Sequence, residues 1–455
     1  MKKCVRIGGG SAGAEDRIDA ALDLIEKGNI DYICFDSLSE SELSLIAAHQ
    51  EANPGAKGYD VFLEMKMMQI LKPCADHGVK IVGNMGGTDP VAGAELIVEC
   101  AKKLGIKKLK VAACVGDNVV ELCKDMDLYT VEGNKRIRDF GDNLVTANAY
   151  VSADHITEAL DNGADVVITG RVGDAAMFLG PLRHEFGWKN DEWDKLSAGI
   201  CVGHLLECGA QSTGGFYADP PYRIVPDLDI MGYPIAEVYP DGGFKITKPE
   251  GTGGMVTPHT CTAQMLYETH DPTHYIEADV ITDFSNMHFD QESKDVVKQT
   301  GVIKGMPKPD MLKVSMGVRE GWLGSTIVFY AGPGAAERGK LAQDILNKRL
   351  ARVLKDPKAE YQVVVTGLDG IYLNAPGVPT QNMEPWEVGV RTAVRSPLYE
   401  DAMTGAREGS TTLITSGPAS PAGKQRQYEM KEIVGYYHTF IPRDKVSISI
   451  EYREV

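Results

Sequence analysis

The sequence predicts an α/β protein: a doubly wound parallel sheet in an N-terminal domain, followed by an α+β region with a split β-α-β-like layer. Three observations carry this expectation. Short apolar runs rich in β-branched residues recur through the first 190 residues, with helical patterns between them. Several of these runs end in small, polar turns of the kind that hand a parallel strand over to a helix. Beyond Trp188 the texture changes to short alternating segments between Gly- and Pro-rich turns. The expected parts are a doubly wound domain carrying the strand-end loops (1–190), an α+β region completing the site (191–330) and a C-terminal α+β layer (331–455).

Val5-Arg6-Ile7 opens the first strand. The following Gly8-Gly9-Gly10-Ser11-Ala12-Gly13 matches G-x-G-x-x-G, with a helix expected from about Glu15, and the next strand ends in Asp36. A dinucleotide fold has this layout, but Glu15 and Asp16 in the first helical turn would repel a pyrophosphate docking there. They read instead as caps of that helix, and no NAD is expected. Alternation continues with helical runs at 39–52 and 59–77, a strand at 79–83, a helix at 89–104, a strand at 109–114 and a further unit from Ala147 through a helix at 155–162 to the strand ending at Thr169. Residues 195–208 read as a helix ending in Gly209 and the Gly214-Gly215 turn. Segments 313–319 and 325–330 read as a β-hairpin around 320–324, followed by a helix at 335–354, a strand at 361–365 and a last strand at 445–451.

With 455 residues, 43% hydrophobic and 24% charged, the chain has material for two or three cores. A formal net charge of -17 argues against nucleic acid as a partner. An anionic substrate would need local cations or backbone amides against that general field. The nine cysteines lack framework spacing and read as reduced thiols. No apolar run is long enough for a membrane span, and the N-terminus shows no apolar h-region, so a cytoplasmic location is expected, away from membranes.

The stretch from Ile168 to Pro220 carries the densest chemistry. Arg171 and Asp174 follow a buried strand; the Arg offers a charged fork for a carboxylate, and the pair also reads as a structural ion pair one turn apart. His204, Glu207 and Cys208 stand at i, i+3 and i+4 and share a helix face, which suits a base beside a thiol or a divalent metal. A core His and Cys beside a solvated Glu reads equally well. The Gly-rich strand ends offer anion-binding amides, against the simpler reading that tight turns favour glycine. Candidate substrate contacts are therefore Gly9, Gly10, Ser11, Asn84, Gly86, Gly87, Asn148, Thr169, Gly170, Gln211, Thr213, Gly214, Gly215, Lys248, Gly253 and Gly254. The Walker, G-x-S-x-G, H-E-x-x-H and C-x-x-C motifs are missing, which argues against P-loop, α/β-hydrolase, zincin and thioredoxin chemistry.

Residues 7–19, Gly83-Asn84-Met85-Gly86-Gly87, Ala147-Asn148-Ala149-Tyr150, 168–174, His184-Glu185-Phe186-Gly187-Trp188, 202–209 and Thr213-Gly214-Gly215 together resemble the acyclic terpene utilisation (AtuA-like) family. Segments 246–254, His270-Asp271-Pro272 and 330–334 extend the resemblance to about residue 350. It implies a place in the catabolism of carboxylic acids through CoA thioesters, sometimes with a small separately encoded partner subunit.

The expectation is an enzyme, a hydratase/dehydratase or related isomerase acting on a small hydroxy- or unsaturated polycarboxylate or its thioester. Arg171 with the Gly86-Gly87 and Gly214-Gly215 amides would clamp an anion, Lys248 would be a second anion contact, and His204, Glu207 or Asp174 would move protons. The alternatives are a nucleotide- or CoA-binding enzyme using Gly8 to Gly13, and a non-catalytic subunit of a catabolic complex. A homo-oligomer is expected.

Overall fold

The computed structural model describes residues 2–368, 370–373, 384–422 and 428–455. The chain divides into two compact units, one running to Gly317 and including Tyr436–Val455, the other Val318–Gly435. The first comprises β1 (Val5–Ala12), α1 (Ile18–Lys27), β2 (Tyr32–Asp36), α2 (Glu40–Ala52), α3 (Leu63–His77), β3 (Lys80–Gly83), α4 (Pro90–Lys103), β4 (Lys110–Val115), α5 (Val120–Asp125), β5 (Leu144–Ala149), α6 (Asp154–Asp161), β6 (Val166–Thr169), α7 (Ala176–Phe186) and α8 (Trp193–Leu206). It continues with β7 (Ile235–Val238), β8 (Phe244–Thr247), α9 (Pro258–Leu266), β9 (Tyr275–Ile276), β10 (Ile281–Ser293) and β11 (Val296–Met306).

Among the described residues these strands build an eleven-stranded sheet, closed at one edge by β16 (Ser449–Glu454), in the order β16-β4-β6-β3-β2-β1-β7-β8-β11-β10-β9. Its parallel centre is β4-β6-β3-β2-β1. All four residues of β6, Val166-Val167-Ile168-Thr169, are buried, as expected of a parallel strand covered on both faces. α1, α3 and α4 pack in a row against the core of Ile33, Phe35, Ile81, Val111, Val166 and Ile168, while α6, α7 and α8 form the second row. Helix starts are capped where the sequence supplies a donor-accepting side chain: Ser39 and Glu42 form a capping box on α2, and Asp89 accepts from Ala92 N ahead of Pro90 on α4.

Several expectations change. Gly8, Gly9 and Gly10 lie within β1 and not in a loop beyond it. A Cβ on Gly9 would collide with the Leu206 carbonyl oxygen, so the glycines let the end of α8 lie directly on the strand. α1 starts at Ile18, and Asp16 caps the turn before it by accepting from Ala12 N at 2.8 Å and Arg17 N at 2.7 Å. β5 leaves the parallel sheet to pair with the strand at 311–331. The sheet also takes strands from beyond residue 190 and from the C-terminal tail, so the compact units fall at different bounds from the three sequence segments.

The second unit contains the continuation of β12 (Met311–Ala331), α10 (Ala335–Val353), β13 (Glu360–Thr366), β14 (Glu387–Ser396), α11 (Tyr399–Arg407) and α12 (Leu413–Ser416), and the chain leaves it along β15 (Glu429–Pro442). β14 runs antiparallel to both β12 and β13 and lies between them, so β12-α10-β13 is the expected split β-α-β layer. Ala342, Leu346 and Leu350 of α10 pack on Val363, Val365, Val388 and Val390. The expected hairpin at 313–330 is a single strand. Its glycines serve approach and not reversal, because a Cβ on Gly324 would strike the Ala402 carbonyl. The last strand, expected at 445–451, begins at Ser449 after a short 3-10 turn at Arg443–Lys445.

Candidate active site

Register brings the site together. β2, β3, β6 and β4 pair Phe35 with Gly83, Gly83 with Ile168 and Cys114 with Thr169, so their carboxyl ends finish side by side. The residues just beyond them, Asp36, Asn84, Asp117 and Arg171, therefore meet on one edge. Asn84 ties two of the ends: its Nδ2 donates to Asp36 Oδ1 at 2.7 Å, and its Oδ1 accepts from Ser37 N at 2.7 Å. Asp117 ties the others, accepting from Arg171 N and from Asn148 Nδ2, each at 2.8 Å. Ser11 Oγ donates to the Asp36 carbonyl at 2.7 Å.

A second group approaches from α8 and β9. His204, only 1% exposed, shares a hydrogen bond of 2.8 Å between Nδ1 and Glu207 Oε1. Its Nε2 is buried without a hydrogen-bond partner. The Tyr275 ring lies 5.2 Å from the imidazole, centroid to centroid, and its hydroxyl lies 3.4 Å from His204 Nδ1. The Glu277 carboxyl sits where Gly173 has no side chain, 2.9 Å from the place a Cβ would occupy. A tight turn from Glu277 N to Val280 O, and Asp279 accepting from Ala153 N at 3.0 Å, fix its position.

The carboxyls of Asp36, Asp174, Glu207 and Glu277 act on one another electrostatically. Burial, the charges of Glu207 and Asp174 and the nearby Asp279 push Glu277 up to about 8. Burial and the Asp174 charge raise Asp36 well above the usual carboxylate range, against the opposing pull of Arg171 and Asn84. Burial opposes a charge on His204, but the hydrogen bond and charge of Glu207, with Glu277 and Glu268, outweigh it and raise the imidazole. Glu207 is itself raised by burial, so the His204–Glu207 pair shares its proton as a unit. Asp36, Asp174, Cys208, Gln211, Tyr275 and Glu277 retain partial exposure.

Residues 5–452 match the model of the acyclic terpene utilisation family protein AtuA. The chain belongs to the acyclic terpene utilisation family. No curated protein and no solved structure matches it.

For this family member the structure sorts the residues singled out in the sequence. It brings Ser11, Asn84, Asn148, Thr169, Gly170, Arg171, Asp174, His204 and Glu207 to the strand-end edge or the adjoining end of α8. Arg171, 2% exposed, uses its guanidinium internally: Nε donates to Val172 O at 3.1 Å, and the terminal nitrogens bond the Leu38 carbonyl and Asp174, with Tyr150 stacked at 4.6 Å. Thr169 Oγ1 donates to Gly170 O, and Gly170 leaves room for the Asp117 carboxyl. The anion cradle of glycine amides is not formed. Gly86 N donates to Thr169 O, Gly87 N to Asn84 O, Gly214 N to Gln211 O and Gly215 N to Ala210 O. Gly253 N and Gly254 N likewise donate to Ile230 O and Pro226 O, while Gly9 and Gly10 are strand residues. Thr213 Oγ1 bonds the Ala210 and Gly232 carbonyls. Lys248, 5% exposed at its side chain, closes its own turn on Thr252 O at 2.7 Å and faces Asp295 at 3.5 Å.

Burial drives the Cys208 thiol far up, which keeps it neutral and unsuited to nucleophilic attack. No group of three or more His, Cys, Asp or Glu is placed to hold a metal among the described residues. No helix there is long and apolar enough to cross a membrane. A separate surface cavity of about 650 Å³, lined by His184, Trp188, Lys189 and Lys195, lies near the entering end of β2, where Glu185 accepts from Tyr32. The strand-end cluster carries the convergent perturbed groups and is the candidate site. The sequence reading missed Asp36 as a site group, and Tyr275, Glu277 and Asp117; only the strand-end position of Asp36 and Asp117 could have signalled them.

Proposed function

We propose that this protein is an enzyme that moves protons at a carbon next to a carbonyl, a hydratase/dehydratase or a related isomerase of carboxylic-acid or acyl-CoA catabolism. The observation that carries the reading is His204: it is buried, its Nδ1 is held by Glu207, and its Nε2 is free toward protein partners in a cluster of carboxyls that includes neutral acids. A base fixed in one tautomer beside a neutral acid is the pairing that elimination or allylic proton transfer needs. Glu207 holds the Nδ1 proton, so Nε2 presents its lone pair to a substrate carbon acid.

The surroundings favour the thioester half of the expected substrate class over the free polycarboxylate. Arg171 and the loop amides donate within the chain, and the facing groups are carboxyls, which repel a second carboxylate close to the reacting carbon. A thioester presents no charge there. The nucleotide reading through Gly8 to Gly13 is not favoured, since Gly8 and Gly9 are strand-paired and Gly9 lies against the Leu206 carbonyl.

The test is deuterium wash-in. Incubation of short branched 2-enoyl and 3-hydroxyacyl thioesters of CoA, and the corresponding free acids, in deuterated water should label the carbon next to the carbonyl. His204→Gln should lower the labelling rate by about 10²–10⁴-fold, the usual worth of a general base. Absence of labelling across the panel with the wild-type protein would remove the proposal.

A further inference from the structure

We propose that Glu277 is a second catalytic residue of this site, the proton donor to a leaving hydroxyl, and that Tyr275 is its positioning residue. This rests on the proton-transfer reading above and names the group that completes it. The two residues come from the two-residue strand β9 and the turn after it, far in sequence from the strand-end loops, and reach the cluster because Gly173 leaves space for the Glu277 carboxyl.

The geometry gives the two ends of the site different tasks. His204 Nε2 stands at the base end, with Nδ1 committed to Glu207. Tyr275 joins that end to Glu277: its ring lies 5.2 Å from the imidazole, its oxygen lies 3.4 Å from His204 Nδ1, and it stands two residues before Glu277, near enough to bias that carboxyl toward its ionised form. The charged and titratable groups facing Glu277 are Glu207, Asp174 and Asp279, and those facing His204 are Glu207, Glu277 and Glu268. The carboxyls facing Glu277 each favour its neutral, proton-donating form, while Tyr275 pulls the other way. Turn and cap hold the carboxyl in place, so it is presented without a rearrangement of the backbone.

In the elimination direction His204 Nε2 takes the proton from the carbon next to the carbonyl, and the C–H electron pair becomes the new C=C bond. The C–O bond at the next carbon breaks with its pair staying on oxygen, and that oxygen takes the Glu277 proton and leaves as water. His204 then returns its proton to solvent and Glu277 regains one from solvent. The sum is one hydroxyacyl compound giving one enoyl compound and one water, with no redox partner required.

The experiment measures two exchanges on the full-length protein with the same thioester and acid panel: deuterium into the carbon acid from deuterated water, and ¹⁸O into the hydroxyl from labelled water. Glu277→Gln should keep deuterium uptake within a few-fold of wild type while ¹⁸O exchange falls by about 10²–10⁴-fold. Glu277→Asp, which retains an acid, should fall between the two and serves if the Gln variant does not fold. Tyr275→Phe removes a group that favours ionised Glu277, so the alkaline limb of ¹⁸O exchange should move to higher pH, a shift that a purely structural role would not produce. Persistence of ¹⁸O exchange in Glu277→Gln, equal loss of both exchanges in it, or wild-type deuterium uptake without ¹⁸O exchange would each overturn the assignment. Wild-type protein showing neither exchange instead overturns the proton-transfer reading, and the donor role falls with it.

Discussion

Arg171 shows how one residue can satisfy the chemistry expected of it and still spend that chemistry on the fold. A guanidinium between two glycines at a strand end suits a substrate carboxylate, yet here it bonds the Leu38 and Val172 carbonyls and Asp174 and stacks on Tyr150. Its planar fork reaches partners in different directions, which a lysine ammonium on a flexible stem cannot reproduce. Arg171→Lys should therefore lower stability by about 2 kcal/mol, the scale of a charge-assisted hydrogen bond lost with a buried carbonyl left unpaired. Thermal or denaturant unfolding measures this. An unchanged Tm with impaired deuterium exchange would return Arg171 to direct substrate contact.

At the scale of elements, the parallel strands were legible because burial on both faces writes continuous apolar runs, as in Val166-Val167-Ile168, and because their turns use small polar residues. The strand-end location of the site follows from that reading. What glycine signified was not legible, since it marks a turn, an anion cradle or a close approach with the same letter. Gly8 to Gly10 and Gly324 are close approaches, so a phosphate loop and a hairpin dissolve into β1 and β12. Tyr275 and Glu277 were invisible for another reason: a two-residue strand has no periodicity, and only long-range packing against Gly173 joins it to the site. The close-approach account predicts that Gly9→Ala forces α8 away from β1 and costs about 1–3 kcal/mol or more, as overpacking does. Chemical denaturation would show it; a variant as stable as wild type would mean that the strand and helix readily separate.

At the scale of the whole molecule, the buried acids predict how stability responds to pH. Glu277, raised to about 8 from an ordinary 4.5, and Asp279, raised to about 6 from 3.8, hold protons in the folded state that the unfolded chain has already released. Their contribution is full below the ordinary carboxylate range and is lost as pH rises through the folded values. His438, raised by its hydrogen bond to Glu40 and by Glu132, adds to the loss on the alkaline side. Glu40 works oppositely: burial opposes its charge, but His438, Lys313 and Tyr150 hold it below the usual range, so its contribution is lost as pH falls toward that value. The first unit, which holds all of these groups, should be most stable on the acid side of neutrality and lose stability as pH rises from the ordinary carboxylate range to about 8. Glu277→Gln should match wild type below about pH 4 and exceed it above about pH 8, by several degrees in Tm. The formal net charge of -17 offers a competing cause, because repulsion among surface carboxylates also disfavours the compact state. Salt separates the two, since about 0.5 M screens exposed charges within a few ångströms and leaves buried ones nearly untouched. An alkaline decline that persists in salt and is reduced by Glu277→Gln belongs to the buried cluster; one that salt abolishes and the variant leaves intact belongs to the surface.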